Sequence, residues 1–307
     1  MIIKRRVFTL SRRTLCALAT ALPATTVAAP FDAARLRNPD VAIDRAFERV
    51  GYGQLHFRVA APRDSAAITR RPVVCFHQTP NSSQVFIEFM AELAIDRRVF
   101  AVDTPGLGES DLLQPAPEIT DYATAMHQFL VAQQLEEVDV VGYHTGANIA
   151  ATLGNLAPDR VRGLLLVGLA LFNETEREAF IEKPWPRRRQ SDGGHLLPEW
   201  QSSHRWRGPG QSDESVARTF IEKLSAGNTA WWPARAVMRH DLATELEALT
   251  VPTVAVNAGD DLEAITPRVV TVRPDIELIT IADAGFGLFE TRAAELATLA
   301  RRVFDDA

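Results

Sequence analysis

Short apolar runs alternate along this chain with longer segments whose apolar residues recur every three or four positions. Residues 72–76, 98–102, 138–141, 161–167, 252–256 and 276–281 read as short buried strands. Ala46–Val50 and Gln54–Val59 flank Gly51-Tyr52-Gly53, the pattern of a β-hairpin. From Thr120 to Leu135, Tyr122, Met126, Phe129, Leu130 and Gln133 share one helical face, with Thr120 as the expected N-cap. A small-residue helix follows from Ala147 to Leu156. A last one, capped by Thr291, carries Leu296, Leu299 and Val303. Alternating apolar strands and helices predict an α/β fold, a mostly parallel doubly wound sheet covered on both faces.

The alternation stops between residues 172 and 248. This stretch holds all five tryptophans: Trp185, Trp200, Trp206, Trp231 and Trp232. It predicts a helical lid inserted after the sixth sheet strand, with core segments at 29–171 and 249–307. So many aromatic side chains suit an apolar substrate chamber; packing a small lobe that has no sheet to rest on is the other use for them.

Charge adds two points. At net −6 the chain has no basic surplus for nucleic acid. Its basic residues are unevenly placed: Lys4, Arg5, Arg6, Arg12 and Arg13 precede an apolar stretch from Leu15 to Ala29, and no acid occurs before Asp32. Residues 1–28 therefore read as a signal peptide. Ser11-Arg12-Arg13-Thr14-Leu15 resembles a twin-arginine export signal, which implies a bacterial periplasmic protein. Thr26-Val27-Ala28 offers small residues for cleavage before Ala29. Removal would take five positive charges and Cys16, leaving Cys75 as the sole cysteine, in the apolar run Val73-Val74-Cys75-Phe76. No later segment is apolar enough to predict a mature membrane span. Oligomeric state is not legible.

The chemistry centres on Gly142-Tyr143-His144-Thr145-Gly146, between an apolar strand and a small-residue helix. That is the context of a nucleophile elbow, Gly-x-nucleophile-x-Gly, in which crowding at the turn demands small residues on either side. The central residue is His144. Shifting the frame to make Thr145 central would put Tyr143 where a small residue is needed.

With three further motifs, the chain resembles the α/β-hydrolase superfamily over most of its mature length. His77-Gln78-Thr79-Pro80-Asn81-Ser82-Ser83 is similar to the His-Gly-x-Pro loop, with Gln78 in place of Gly. Asp103-Thr104-Pro105-Gly106-Leu107-Gly108-Glu109-Ser110-Asp111 matches the Asp-x-Pro-Gly-x-Gly-x-Ser turn. The segment from Val251 to Asp261 resembles the strand that delivers the family's acid. The loop and turn most resemble the lidded epoxide-hydrolase and haloalkane-dehalogenase branch.

The resemblance implies a nucleophile at the elbow, an acid after the seventh strand and a histidine after the eighth. Here those places hold His144, Asp261 (or its neighbour Asp260) and Phe286. The expected catalytic pair is therefore His144 as base or nucleophile, with its ring leaning into space vacated at Phe286 to meet Asp261. Backbone N–H groups of Thr79 and Thr145 are the expected oxyanion hole. The helix N-terminus behind His144 predicts a neutral imidazole at pH 7. His77, Gln78, Tyr143, His195 and Phe286 are candidate pocket residues, with His77 bracing the oxyanion loop. His204 is a weaker candidate, and Asn173 and Glu174 are fallback positions for the acid. No short ligand spacing predicts a metal, and no cofactor is expected. The expected function is hydrolysis of a small, largely apolar ester, lactone or related carbonyl compound. A catalytically silent binding protein and a cofactor-free lyase or oxygenase-like enzyme with a histidine base are the alternatives.

Overall fold

The computed structural model describes residues 38–305, except 114–115, 183–188 and 206. The expected export signal, Trp185 and Trp206 lie outside the described residues.

The apolar runs form one eight-stranded sheet: β1 (Val41–Val50), β2 (Gly53–Pro62), β3 (Val73–Phe76), β4 (Val99–Val102), β5 (Val138–Tyr143), β6 (Val161–Val167), β7 (Thr253–Asn257) and β8 (Glu277–Thr280). Their spatial order is β1-β2-β4-β3-β5-β6-β7-β8. β2 runs antiparallel to both β1 and β4, and β3 to β8 are parallel. The central strands are buried at every position in β3, β4 and β5, because helices cover both faces.

Between the strands run α1 (Ile87–Leu93), α2 (Ile119–Ala132) and α3 (Thr145–Leu156). Among the described residues five α-helices separate β6 from β7: α4 (Glu174–Ile181), α5 (Leu196–Arg205), α6 (Asp213–Ser225), α7 (Trp232–Arg239) and α8 (Leu242–Ala248). The chain closes with α9 (Val269–Val272), α10 (Leu288–Thr291) and α11 (Ala293–Asp305). The core has two parts, one on each face of the sheet. Phe57, Tyr122, Phe129 and Ile149 belong to one; Phe86, Phe89, Tyr143, Phe289 and Leu296 belong to the other. Cys75 is a fully buried free thiol in the second part.

Two predicted caps move. α2 begins before Thr120: the Glu118 N–H donates to Asp121 Oδ2 at 2.8 Å, while the Thr120 carbonyl accepts from Thr124 Oγ1 inside the helix. Thr291 ends α10 instead of starting α11, its hydroxyl donating to the Gly287 carbonyl. The Thr291 hydroxyl thus bonds a carbonyl four residues earlier instead of capping the next helix, and Thr120 lies inside α2, where its carbonyl accepts from Thr124.

The insertion between β6 and β7 is helical and docks on core loops through α6. Glu222 accepts from Asn81 Nδ2 at 2.9 Å and from the Ser82 hydroxyl. At the other end Glu290 receives the Ser215 hydroxyl and lies 3.6 Å from the Arg218 guanidinium. Trp200 packs its ring against His204 (4.5 Å) and Phe220 (5.5 Å), which ties α5 to α6. This described tryptophan serves the lobe's own packing, the second of the two uses read from the sequence.

Candidate active site

The bend between β5 and α3 places His144 at φ 50° and ψ −108°, a region that a residue with a side chain occupies only under constraint. The constraint is visible. The His144 N–H donates to the Val167 carbonyl at 2.9 Å, and the next strand end is tied down by Gly168 N–H to the Val256 carbonyl at 3.0 Å. A Cβ on Gly146 would stand 2.0 Å from the Phe76 carbonyl oxygen, and one on Gly142 2.5 Å from the Gly146 carbonyl. Both glycines are therefore steric requirements of the turn.

The imidazole leaves the elbow sideways, across the ends of β6 and β7. Gly168, at φ +65°, forms its floor: a Cβ there would lie 2.3 Å from His144 Cδ2. Phe286 meets the ring edge-on at 5.4 Å between centroids, and Tyr143 does so at 4.5 Å. Beyond β7, the chain turns so that the Asp260 carboxylate points inward. Its Oδ1 accepts the Leu262 N–H at 2.9 Å, an Asx turn that fixes the side chain. Its Oδ2 lies 2.7 Å from His144 Nε2 and 3.3 Å from the Tyr143 hydroxyl.

The sequence reading put Asp261 against the ring; the structure gives the close contact to Asp260. Asp261 Oδ1 lies 3.8 Å from Nδ1, and its side chain is 41% exposed, whereas that of Asp260 is sealed. Successive residues of a tight turn face different ways, and sequence alone does not say which of two adjacent carboxylates faces in. One imidazole thus spans from the elbow to the acid.

A second expectation also changes. Burial by itself would push the His144 pKa down, but the charge and hydrogen bond of Asp260, aided by Asp261, raise it above its ordinary value. The expectation of a neutral ring rested on the helix N-terminus and did not count these two carboxylates. Burial would raise Asp260, but the charge and hydrogen bond of His144 hold its pKa below the usual carboxylate range. The stabilising contribution of His144 is complete below the unfolded His value and is lost as pH rises through the raised folded one. That of Asp260 is complete above the unfolded Asp value and is lost as pH falls through the lowered folded one. Together they stabilise the fold most between about pH 4 and 6.5.

Asp260 accepts from Nε2–H, so Nδ1 is the nitrogen that carries the lone pair when the ring is neutral. It faces the side of Asp261, the more open one. The Tyr143 hydroxyl donates to the same carboxylate oxygen as His144 and withdraws charge from it. Tyr143→Phe is therefore expected to raise the proton affinity of the pair, moving the acid limb of any Nδ1-dependent activity to higher pH by about half to one unit. A pH–rate profile of the variant checks this, and an unmoved or acid-shifted limb contradicts it. Tyr143 itself is fully buried and is not a pocket wall, which corrects that expectation.

On the facing side, the loop after β3 brings Thr79 against the start of α3, with the two hydroxyls of Thr79 and Thr145 2.9 Å apart. The backbone N–H groups of Thr79 and Thr145 have no acceptor among the described residues. His77 holds this loop. Its Nε2 accepts the Thr104 N–H at 2.9 Å, which makes Nδ1–H the donor to the Gln78 carbonyl, also at 2.9 Å. Burial pushes the His77 pKa down, against the Asp103 charge and the Gln78 carbonyl, so it is a neutral brace. Asp103 secures the neighbouring turn through His56 Nδ1 at 2.8 Å, Ser83 N–H at 2.7 Å and Glu109 N–H at 3.0 Å. Burial works against its charge, yet those donors and the nearby His77 hold its pKa down to about 2.

His195 is not brought to His144. Its Nδ1 accepts the Gln190 N–H at 3.1 Å and closes a local turn. Asn173 caps α4, accepting the Glu176 N–H, and Glu174 is exposed on that helix's first turn, so neither replaces the acid. His144, Asp260 and Asp261 each offer a metal-ligand atom within 4.8 Å of one another. Asp260 Oδ1 accepts the Leu262 N–H and Oδ2 faces His144, so in this arrangement the His144–Asp260 contact occupies the space between two of the three groups. Gly168 is the site residue that motif reading missed, and a glycine just after an apolar strand was the one available signal; Asp260 was named only as the alternative to its neighbour.

Residues 71–194 match the family model described as the alpha/beta hydrolase fold. Solved structures with similar folds include an E-2-(acetamidomethylene)succinate hydrolase, at 19% identity and a TM-score of 0.67 over 87% of this chain and 100% of that one. An enol-lactonase from Burkholderia xenovorans LB400 matches at 15% identity and 0.69, over 85% and 100% of the two chains. An epoxide hydrolase matches at 17% identity and 0.65, over 86% and 99%.

Proposed function

We propose that this chain, which has the α/β-hydrolase fold, is a hydrolase that cleaves a small ester, lactone or related carbonyl compound with His144 as general base. The observation that carries the reading is the 2.7 Å contact between His144 Nε2 and the sealed Asp260 carboxylate. An imidazole paired to a buried acid on one nitrogen is oriented and stabilised in its charged form, which is what a base needs as it takes a proton. In the familiar Ser-His-Asp arrangement a serine and a histidine share this task. Here the serine position is itself the imidazole, so the attacking group is water.

In the proposed step the substrate carbonyl oxygen accepts from the Thr79 and Thr145 N–H groups. Nδ1 of neutral His144 takes a proton from a water as its oxygen bonds to the carbonyl carbon. Negative charge moves to the carbonyl oxygen, against the two amides and the N-terminus of α3. Collapse of the tetrahedral intermediate breaks the bond to the alkoxide leaving group, which takes the proton back from Nδ1. The ester and water become acid and alcohol, and the base is regenerated. The helices between β6 and β7 serve as a lid, joined through Glu222 to the loop that carries Thr79.

The base must be neutral, so activity rises with pH through the raised His144 pKa, with its acid limb above the ordinary His value of about 6.5. The deciding experiment is turnover of an ester and lactone panel by wild type and by His144→Ala. Loss of about 10²–10⁴-fold with the fold retained supports the base. Equal rates in both proteins sink it. The amino-terminal segment fits export to the periplasm; tracking the full chain with and without Arg12→Lys plus Arg13→Lys in a bacterial host tests that.

A further inference from the structure

We infer that the side-chain amide of Gln78 reads a hydrogen-bonding atom close to the reacting carbonyl, so that the site prefers acyl groups bearing an ether, hydroxyl or amide substituent over plain hydrocarbon ones. This rests on the hydrolase reading for its setting and on Gln78 itself for its argument.

Gln78 is 3% exposed, and its Oε1 is enclosed with no hydrogen-bond partner. No hydrogen bond is made by its Nε2 among the described residues either. A buried carbonyl oxygen left unpaired is destabilising in a way that a hydrocarbon of the same shape is not. The loop does not need the side chain for its own shape. The Gln78 carbonyl already accepts from His77 Nδ1 at 2.9 Å and from the Asn81 N–H at 3.0 Å, which fixes the backbone.

Nor is the loop free to turn the amide out to water. It is held to the β4 side by His77 and Thr104, to α3 by the Thr79–Thr145 hydroxyl contact, and to α6 by Asn81, Ser82 and Glu222. The amide therefore stands unpaired in a rigid loop, one residue before the Thr79 N–H that the reaction uses. A polar group held in place without a partner is preorganised for a ligand. Oε1 is enclosed, so a ligand meets the amide at its Nε2 end, which donates to an acceptor such as an ether, hydroxyl or carbonyl oxygen.

Two acyl groups of equal length separate this from shape: 4-nitrophenyl methoxyacetate and 4-nitrophenyl butanoate, which differ by an oxygen in place of a methylene. The comparison is the ratio of their kcat/KM values in wild type against Gln78→Met, which keeps length and removes hydrogen bonding. Intrinsic reactivity cancels in that double ratio. The methoxyacetyl preference is expected to fall about tenfold or more in the variant. An unchanged ratio, with both substrates slowed equally, shows a merely structural side chain and overturns the inference. Loss of an unpaired amide leaves Gln78→Met at least as stable as wild type, which a melting curve verifies.

A second arm does not depend on turnover. Calorimetric binding of N-benzyl-2-methoxyacetamide and N-benzylbutanamide is measured on wild type and Gln78→Met. Tighter binding of the methoxy compound by wild type alone supports the inference; equal binding of the two compounds by wild type, or no binding of either, overturns it. Absence of His144-dependent turnover would sink the hydrolase reading, and the calorimetric pair would still decide the role of Gln78.

Discussion

Asp260→Asn is expected to lower turnover by about 10³–10⁴-fold while leaving the protein folded. The reason is tautomeric. Oδ1 of Asp260 accepts the Leu262 N–H, so an asparagine keeps its carbonyl oxygen there and turns its NH2 toward His144. That NH2 donates to Nε2, forcing the ring proton onto Nδ1. The nitrogen that faces the open side then has no lone pair to accept a proton, and the base is lost even though the ring stays in place. Asp261→Asn is the comparator. At 3.8 Å and 41% exposed, Asp261 supports the imidazolium only through its screened charge, so a few-fold loss is expected. Steady-state kinetics on the panel substrate that wild type turns over best checks both. A larger loss in Asp261→Asn would show that the acids have been assigned the wrong way round.

The second large effect concerns the turn that aims the ring. Gly146→Ala is expected to destabilise the protein by about 3 kcal/mol or more, or to leave no soluble folded protein. The new Cβ would stand 2.0 Å from the carbonyl oxygen of Phe76. That oxygen is backbone at the end of β3, in the middle of the sheet between β4 and β5, and has no rotamer to relax. Gly154→Ala in the same helix is the control. Its Cβ would meet Leu249 Cδ2 at 2.9 Å and Leu164 Cδ1 at 3.2 Å, side-chain ends that adjust, and alanine gains helix propensity. Denaturant unfolding of the two variants should therefore differ by more than about 2 kcal/mol. Similar stabilities would mean that the elbow is not held by its contact with β3.

The elbow, the β3 loop and the Asp103 turn were legible because each depends on residues close in sequence. Glycines at 142 and 146 are demanded by a turn five residues long, and the His77 and Asp103 motifs carry their own loop geometry. The strands were legible from continuous apolar runs, since a sheet covered on both faces selects for them. The helix caps at Thr120 and Thr291 misled: Glu118, with Asp121, caps α2 ahead of Thr120, and the Thr291 hydroxyl is satisfied by a backbone carbonyl within its own helix, alternatives that local sequence does not rank.

Sequence by itself determined that this chain builds an α/β sheet with a histidine on its sharp bend and a phenylalanine where the resemblance expects a second histidine. Only tertiary structure decided which acid that histidine meets. Asp260 and Asp261 are chemically identical and adjacent, and the choice between them rests on the direction of one turn after β7 and on the bare Cα of Gly168 beneath the ring. Tertiary structure also decided the direction in which the His144 pKa moves. The dipole of α3 can be anticipated from the helix that follows the residue, whereas the two carboxylates arrive from more than a hundred residues away, and their contact raises the pKa against burial.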